Sequence, residues 1–169
     1  KRKENSYFAS KQPSEYSEKL VPDIKIRRPI LVKNHAHFVQ NHEILSQHPS
    51  SFHILGASQL ARRLHSHFID LGWTPLVNNP DVVIDLQMMP LSSFSFAKKI
   101  QQPKIWMTII QHTEHQDLET QAQMGGISGF TKALGKEWSD CQMTILSLEN
   151  MSLEEKCTAI CFELSQRQA

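Results

Sequence analysis

Nine histidines and three cysteines are the residues best able to do chemistry, and their spacing decides what they can hold. His35-x-His37, His65-x-His67 and His112-x-x-His115 are the pairs close enough in sequence to share a metal ion. On a helix, residues i and i+2 diverge by about 200°, so His65 and His67 cannot clamp one ion. The other pairs lack the Cys or carboxylate companions of a zinc site. Only a helical His112/His115 pair, with Glu114 or Asp117, merits a test, and no metal is expected. Cys157 and Cys161 stand four apart on one helix face among apolar neighbours and, with Cys141, read as reduced core thiols. Their odd number argues against a disulfide framework. Ser128 lies in Gly126-Ile127-Ser128-Gly129, which is not a G-x-S-x-G nucleophile elbow and has no strand before it, so it reads as a helix residue.

A phosphate-binding turn is the other chemistry to look for, because glycines at a strand–helix junction let the helix N-terminus receive an anion. The candidate is Ile54-Leu55-Gly56-Ala57-Ser58-Gln59-Leu60-Ala61. Only Gly56 matches the G-x-G-x-x-G fingerprint; Ser58 and Ala61 stand where the second and third glycines belong, and Ser58 puts a side chain where the phosphates need closest approach. About twenty residues later an Asp or Glu should meet the ribose. The sequence offers Val77-Asn78-Asn79-Pro80, better explained as a tight turn, while Asp81 falls at the front of the following strand. No nicotinamide cofactor is expected.

The elements that must position these residues are legible in the pattern. Apolar runs at Pro29–Lys33, Phe52–Gly56, Thr74–Val77, Val82–Leu86, Ile105–Ile110 and Met143–Leu148 predict strands. Leu60, Leu64, Phe68 and Leu71 predict a helix over Ser58–Leu71 that stops at Gly72. A second helix over Asp117–Trp138 places Ile127, Phe130, Leu134 and Trp138 on one face as core and candidate partner contact, with Gly125, Gly126 and Gly129 permitting close approach. Ser152 and Glu155 form a capping box that opens a last helix carrying Cys157, Ile160, Cys161 and Leu164 inward. Runs such as Val82-Val83-Ile84 imply burial on both faces, hence a doubly wound, mostly parallel α/β sheet: a degenerate Rossmann-like domain.

The chain has 169 residues, 40% hydrophobic and 21% charged, with 18 basic and 17 acidic side chains and a formal charge of +1. Nothing in that balance suggests a dedicated nucleic-acid binder, an acidic tail or a membrane-surface protein. Trp73, Trp106 and Trp138 have no basic stripe beside them and read as core or interface anchors. Without an apolar run long enough to span a bilayer, and without a signal peptide, a cytoplasmic setting is expected. Residues 1–28 hold eight basic and four acidic side chains with little periodicity and read as a polar arm or linker before a domain over 29–169. The chain opens on Lys1 and not on Met, and is expected to be a segment of a longer polypeptide.

The segment Gln121–Trp138, QAQMGGISGFTKALGKEW, resembles the central helix of the short-chain dehydrogenase/reductases, whose usual form is Tyr-x-x-x-Lys followed by small residues and a G-F-T-K-A-L-like run. Alignment on that run places Thr120 at the catalytic Tyr and Met124 at the Lys. Such a reductase needs a phenol to protonate the developing alkoxide and a cation to lower the phenol's pKa, and Thr120 and Met124 provide neither. The family's remaining Ser or Thr falls near Thr108, in a strand where Thr is ordinary.

Within that family the chain looks like the N-terminal structural subdomain of the ketoreductase of modular polyketide synthases and polyunsaturated fatty acid synthases. The order of matching features carries this: the degenerate turn at Phe52–Ala57, the strand at Asp81–Leu86, the Ile105–Ile109 strand, Lys136-Glu137-Trp138, the strand ending Leu148-Glu149 and Ser152-Leu153-Glu154-Glu155. The resemblance implies a noncatalytic half, without cofactor of its own, that packs against and stabilises an NADPH-dependent catalytic half or neighbouring synthase domain, in a multienzyme that carries substrates on acyl carrier protein. Two other readings stay open: a divergent NAD(P)-dependent reductase, and a module that docks a carrier protein through its basic arm.

Overall fold

The valine and isoleucine runs become parallel strands. A computed structural model describes residues 26–27, 44–48, 50–112 and 117–168. Strands β1 (Ile26–Arg27), β2 (Ser51–Leu55), β3 (Thr74–Pro75), β4 (Val82–Asp85), β5 (Ile105–His112) and β6 (Gln142–Glu149) form one sheet in the order β1-β6-β5-β4-β2-β3. Every neighbouring pair is parallel. Helices α1 (Gln59–Asp70), α2 (Pro90–Ala97), α3 (Leu118–Glu137) and α4 (Leu153–Gln168) cover the two faces. The domain is therefore a doubly wound, Rossmann-like α/β fold.

Alternation along β4 divides the core. Val82 and Ile84 point to the face covered by α1 and α4, where Leu64, Phe68, Ile160 and Leu164 join Phe52, Met107 and Leu146. Val83 points to the α2/α3 face, with Trp106, Leu134 and Ala97, beside a smaller cluster of Ile110, Met124, Ile127 and Ile145. Each fully buried Val, Leu, Ile, Phe or Met among them contributes about 1.5–3 kcal/mol by leaving water.

The ends of α1 and α4 follow from single residues. Ser58 accepts the Ala61 N–H at 3.1 Å to start α1. Gly72, with φ +80°, ends it: the Trp73 N–H reaches the Phe68 carbonyl and the Gly72 N–H that of Ile69, both at 2.9 Å, while the Trp73 and Phe68 rings stack. The Trp73 indole N–H then holds the Leu45 carbonyl at 2.9 Å, pinning the helical turn at 44–47. At α4, Ser152 N–H donates to Glu155 Oε2 at 2.9 Å and Glu155 N–H to Ser152 Oγ at 3.3 Å, the reciprocal box the sequence predicts.

Three differences from the sequence reading matter. Helix α2 lacks an inward apolar period and is not foreseen. Strand β3 pairs for two residues only, Thr74 with Ser51 and Pro75 with Phe52. Ile26–Arg27, inside the stretch read as a polar arm, pair with Ile145 and Leu146 of β6. The strand predicted at Pro29–Lys33 lies outside the described residues, as do His35, His37, Glu114 and His115.

Candidate functional site

In an open parallel sheet, ligands bind beyond the carboxyl ends of the strands, where the strand order reverses. Here that point lies between β2 and β4, since β2 has β3 on one side and β4 on the other. Counted from β2, the order is 2-1-3-4-5, one strand fewer before the reversal than the 3-2-1-4-5-6 order of a full dinucleotide sheet.

Of the groups that would grip a dinucleotide there, the first glycine is present and the others differ. Gly56 makes the turn at φ +118°, and a Cβ on it would come within 3.4 Å of the Leu86 Cβ. Beyond it, the Ser58 hydroxyl occupies the Ala61 N–H, one of the donors that would otherwise face a phosphate. Ala61 itself is buried in the core. Strand β3 ends level with Phe52, three residues short of Leu55 at the end of β2. The chain then turns back along the amino edge, where Asn79, at φ 55°, accepts the Gln101 N–H at 2.9 Å. Asp81 belongs to that same edge. Ser51 donates to it and Lys104 Nζ lies 2.9 Å away, and these partners hold its carboxyl below the ordinary carboxylate range. Near the end of β2 is an open cleft of about 350 Å³ lined by Ile54, Gly56, Ala57, Ala61, Arg62, His65 and Ser66.

The positions aligned with catalytic groups serve the fold. Thr120 sits in the first turn of α3, where its N–H donates to the capping Asp117 Oδ1 at 2.8 Å. The Thr120 hydroxyl and N–H together lower the Asp117 carboxyl below its usual range. Met124 is buried with Ile110, Ile127 and Ile145. Thr108 is fully buried, and its hydroxyl is committed within a chain of donors. The Trp106 indole N–H donates to Thr108 Oγ1 at 3.1 Å, Thr108 Oγ1 lies 2.7 Å from Thr131 Oγ1, and Thr131 donates to the Ile127 carbonyl at 2.8 Å. With Thr131's proton on Ile127, the Thr108 proton goes to Thr131.

Helix α3 buries Ile127 and Leu134 and half-buries Phe130 and Trp138, whose rings stand edge-on to Trp106. Of Gly125, Gly126 and Gly129, only Gly126 is in close contact, 3.0 Å from Pro90 Cγ as a Cβ would see it; the other two face open space. Ser128 donates to the Met124 carbonyl at 2.8 Å, as a helix serine does. A groove of about 200 Å³ between α2 and α3 is lined by Phe94, Ala97, Lys98, Phe130, Ala133, Leu134, Glu137 and Trp138. At the starts of α2 and α3, which follow the carboxyl ends of β4 and β5, Met89, Leu91 and Leu118 are exposed.

Burial raises the three thiols, Cys141 and Cys161 to about 12 and Cys157 to about 11, so each stays protonated at neutral pH. Among the described residues no group of three or more His, Cys, Asp or Glu could hold a metal ion. His65 lies edge-on to Phe52 and His67 tilts against Phe68. No described helix is long and apolar enough to cross a membrane.

One polar cluster carries no sequence motif. Asp85, the last residue of β4, follows Val83 onto the α2/α3 face and is fully buried. Its Oδ1 accepts the Gln87 N–H at 3.2 Å, its Oδ2 has no hydrogen-bond partner, and Gln87 Nε2 reaches Ser93 Oγ at 3.3 Å. Burial pushes this carboxyl up, against the pull of the Ser93 hydroxyl and the Gln87 N–H. In the sequence, Val82-Val83-Ile84-Asp85-Leu86 shows an acid inside an apolar run, the one signal that could have marked it. Comparison with known protein families, with curated proteins and with solved structures finds no match for this chain.

Proposed function

We propose that the chain is a noncatalytic structural subdomain of a ketoreductase region in a polyketide or polyunsaturated fatty acid synthase. In this role it binds no nicotinamide of its own and stabilises a catalytic half or neighbouring synthase domain by packing against it, in the cytoplasm, within an assembly that shuttles intermediates on acyl carrier protein. The sequence order of the degenerate turn, the Gln121–Trp138 helix and the capped last helix motivates this reading. The observation that carries it is the shortness of β3: the strand whose end would bring an acid to the ribose stops level with Phe52. The self-capped Ser58 turn and the buried Met124 thioether point the same way. An ordered sheet domain lacking these groups still costs chain entropy, and contact with a partner offsets that cost.

Titration of the purified chain with NADPH and NADH, followed by calorimetry and nucleotide fluorescence, tests the proposal. No saturation through the millimolar range is expected. Saturable micromolar binding of either nucleotide would overturn it and favour the divergent reductase.

A further inference from the structure

Helix α2 is inverted relative to its neighbours. Its buried residues are Ser93 and Ala97, while Leu91 is 81% and Phe94 49% exposed. No side chain caps its start at Met89. Beneath it on the sheet are two titratable side chains: Asp85 from β4, beside Ser93, and His53 from β2, whose ring stacks on Phe96 at 4.7 Å and 12°. The residues in register with Asp85 are uncharged, Leu55 on β2 and Thr108 on β5. From α3, Glu137 lines the outer groove beside α2, and on α2's own C-terminal side Lys98 lies over the Phe94 ring.

A carboxylate at Asp85 would put a negative charge at a fully buried position where one oxygen accepts no hydrogen bond, which burial without a partner penalises heavily. The uncharged carboxyl suffers less. We propose that α2 is a pH-dependent latch, closed on the sheet while the Asp85 carboxyl holds its proton and released when that proton passes to water. The direction follows from linkage. Burial raises the Asp85 value, so closure is complete below the ordinary carboxyl range and weakens as pH climbs through the folded-state value. His53 opposes this on the acid side. Burial lowers its value, so its share of closure is present above the ordinary imidazole range and lost as pH falls through the folded-state value.

The two groups are separated with His53→Phe, which keeps a ring against Phe96 and removes the imidazole. Hydrogen exchange, corrected for intrinsic rates, is followed from pH 4 to 9 in peptides spanning α2 and, in the same molecules, α4. In His53→Phe, α2 protection is expected to fall about tenfold per pH unit from about 3.9 up to the folded value of Asp85 and then level off. Helix α4 should stay flat, and adding Asp85→Asn should abolish the α2 slope. A slope common to α2 and α4, or one that survives Asp85→Asn, overturns the latch. Carbon-13 titration of the Asp85 carboxyl in the unaltered chain provides a readout independent of any variant: a midpoint at or below about 3.9 overturns it as well.

Discussion

Thr108 illustrates how a hydroxyl at a chemically suggestive position can be spent entirely on the core. It links the Trp106 indole to Thr131 in a row that ends on the Ile127 carbonyl. Thr108→Val keeps the shape but strands the Trp106 N–H and the Thr131 oxygen away from water. A loss of about 2 kcal/mol is expected in urea unfolding, with most of it restored by Thr108→Ser. A hydroxyl free for catalysis would show the opposite pattern, with stability nearly unchanged on substitution by Val. From sequence alone the two cases look identical, because neither β5's alternation nor the spacing to Thr131 reveals which hydroxyl donates to which. Asp85 was only partly visible: an acid inside the apolar run Val82–Leu86 is a signal, but it passes for a strand end until the helix that covers it is seen.

Among the helices, legibility tracked the chemistry of their ends. Helix α1 was readable from the period of Leu60, Leu64, Phe68 and Leu71 and its stop at Gly72, and α4 from the Ser152/Glu155 box, because such end signals depend only on nearby residues. Helix α2 was not, since Leu91 and Phe94 point outward and the residues it buries are Ser93 and Ala97; Pro90 at its first turn was the sole local sign. The short reach of β3 was also beyond sequence, because pairing length depends on where the chain turns back and not on the apolar character of Leu76 and Val77. The glycines of α3 give a further test. Gly129→Ala places a methyl in open space and is expected to stabilise the chain by about 0.5–1 kcal/mol. Gly126→Ala meets the Pro90 ring at 3.0 Å and should forfeit that gain or reverse it, as thermal melts of the two variants would register.

Over the whole molecule, the doubly wound sheet was predictable because a strand buried on both faces must be apolar throughout, and Val82-Val83-Ile84 is. What the sheet offers at its reversal point was only half readable: Ser58 in place of glycine is visible in the sequence, the missing upper length of β3 is not. The uncovered side chains at the start of α2 and α3 have a practical result of their own. With Leu91 at 81% and Leu118 at 83% exposure, free copies should be adhesive. Light scattering should rise with protein concentration and with added ammonium sulfate, while circular dichroism holds steady, and a Leu91→Glu, Leu118→Glu double variant should keep the particles apart.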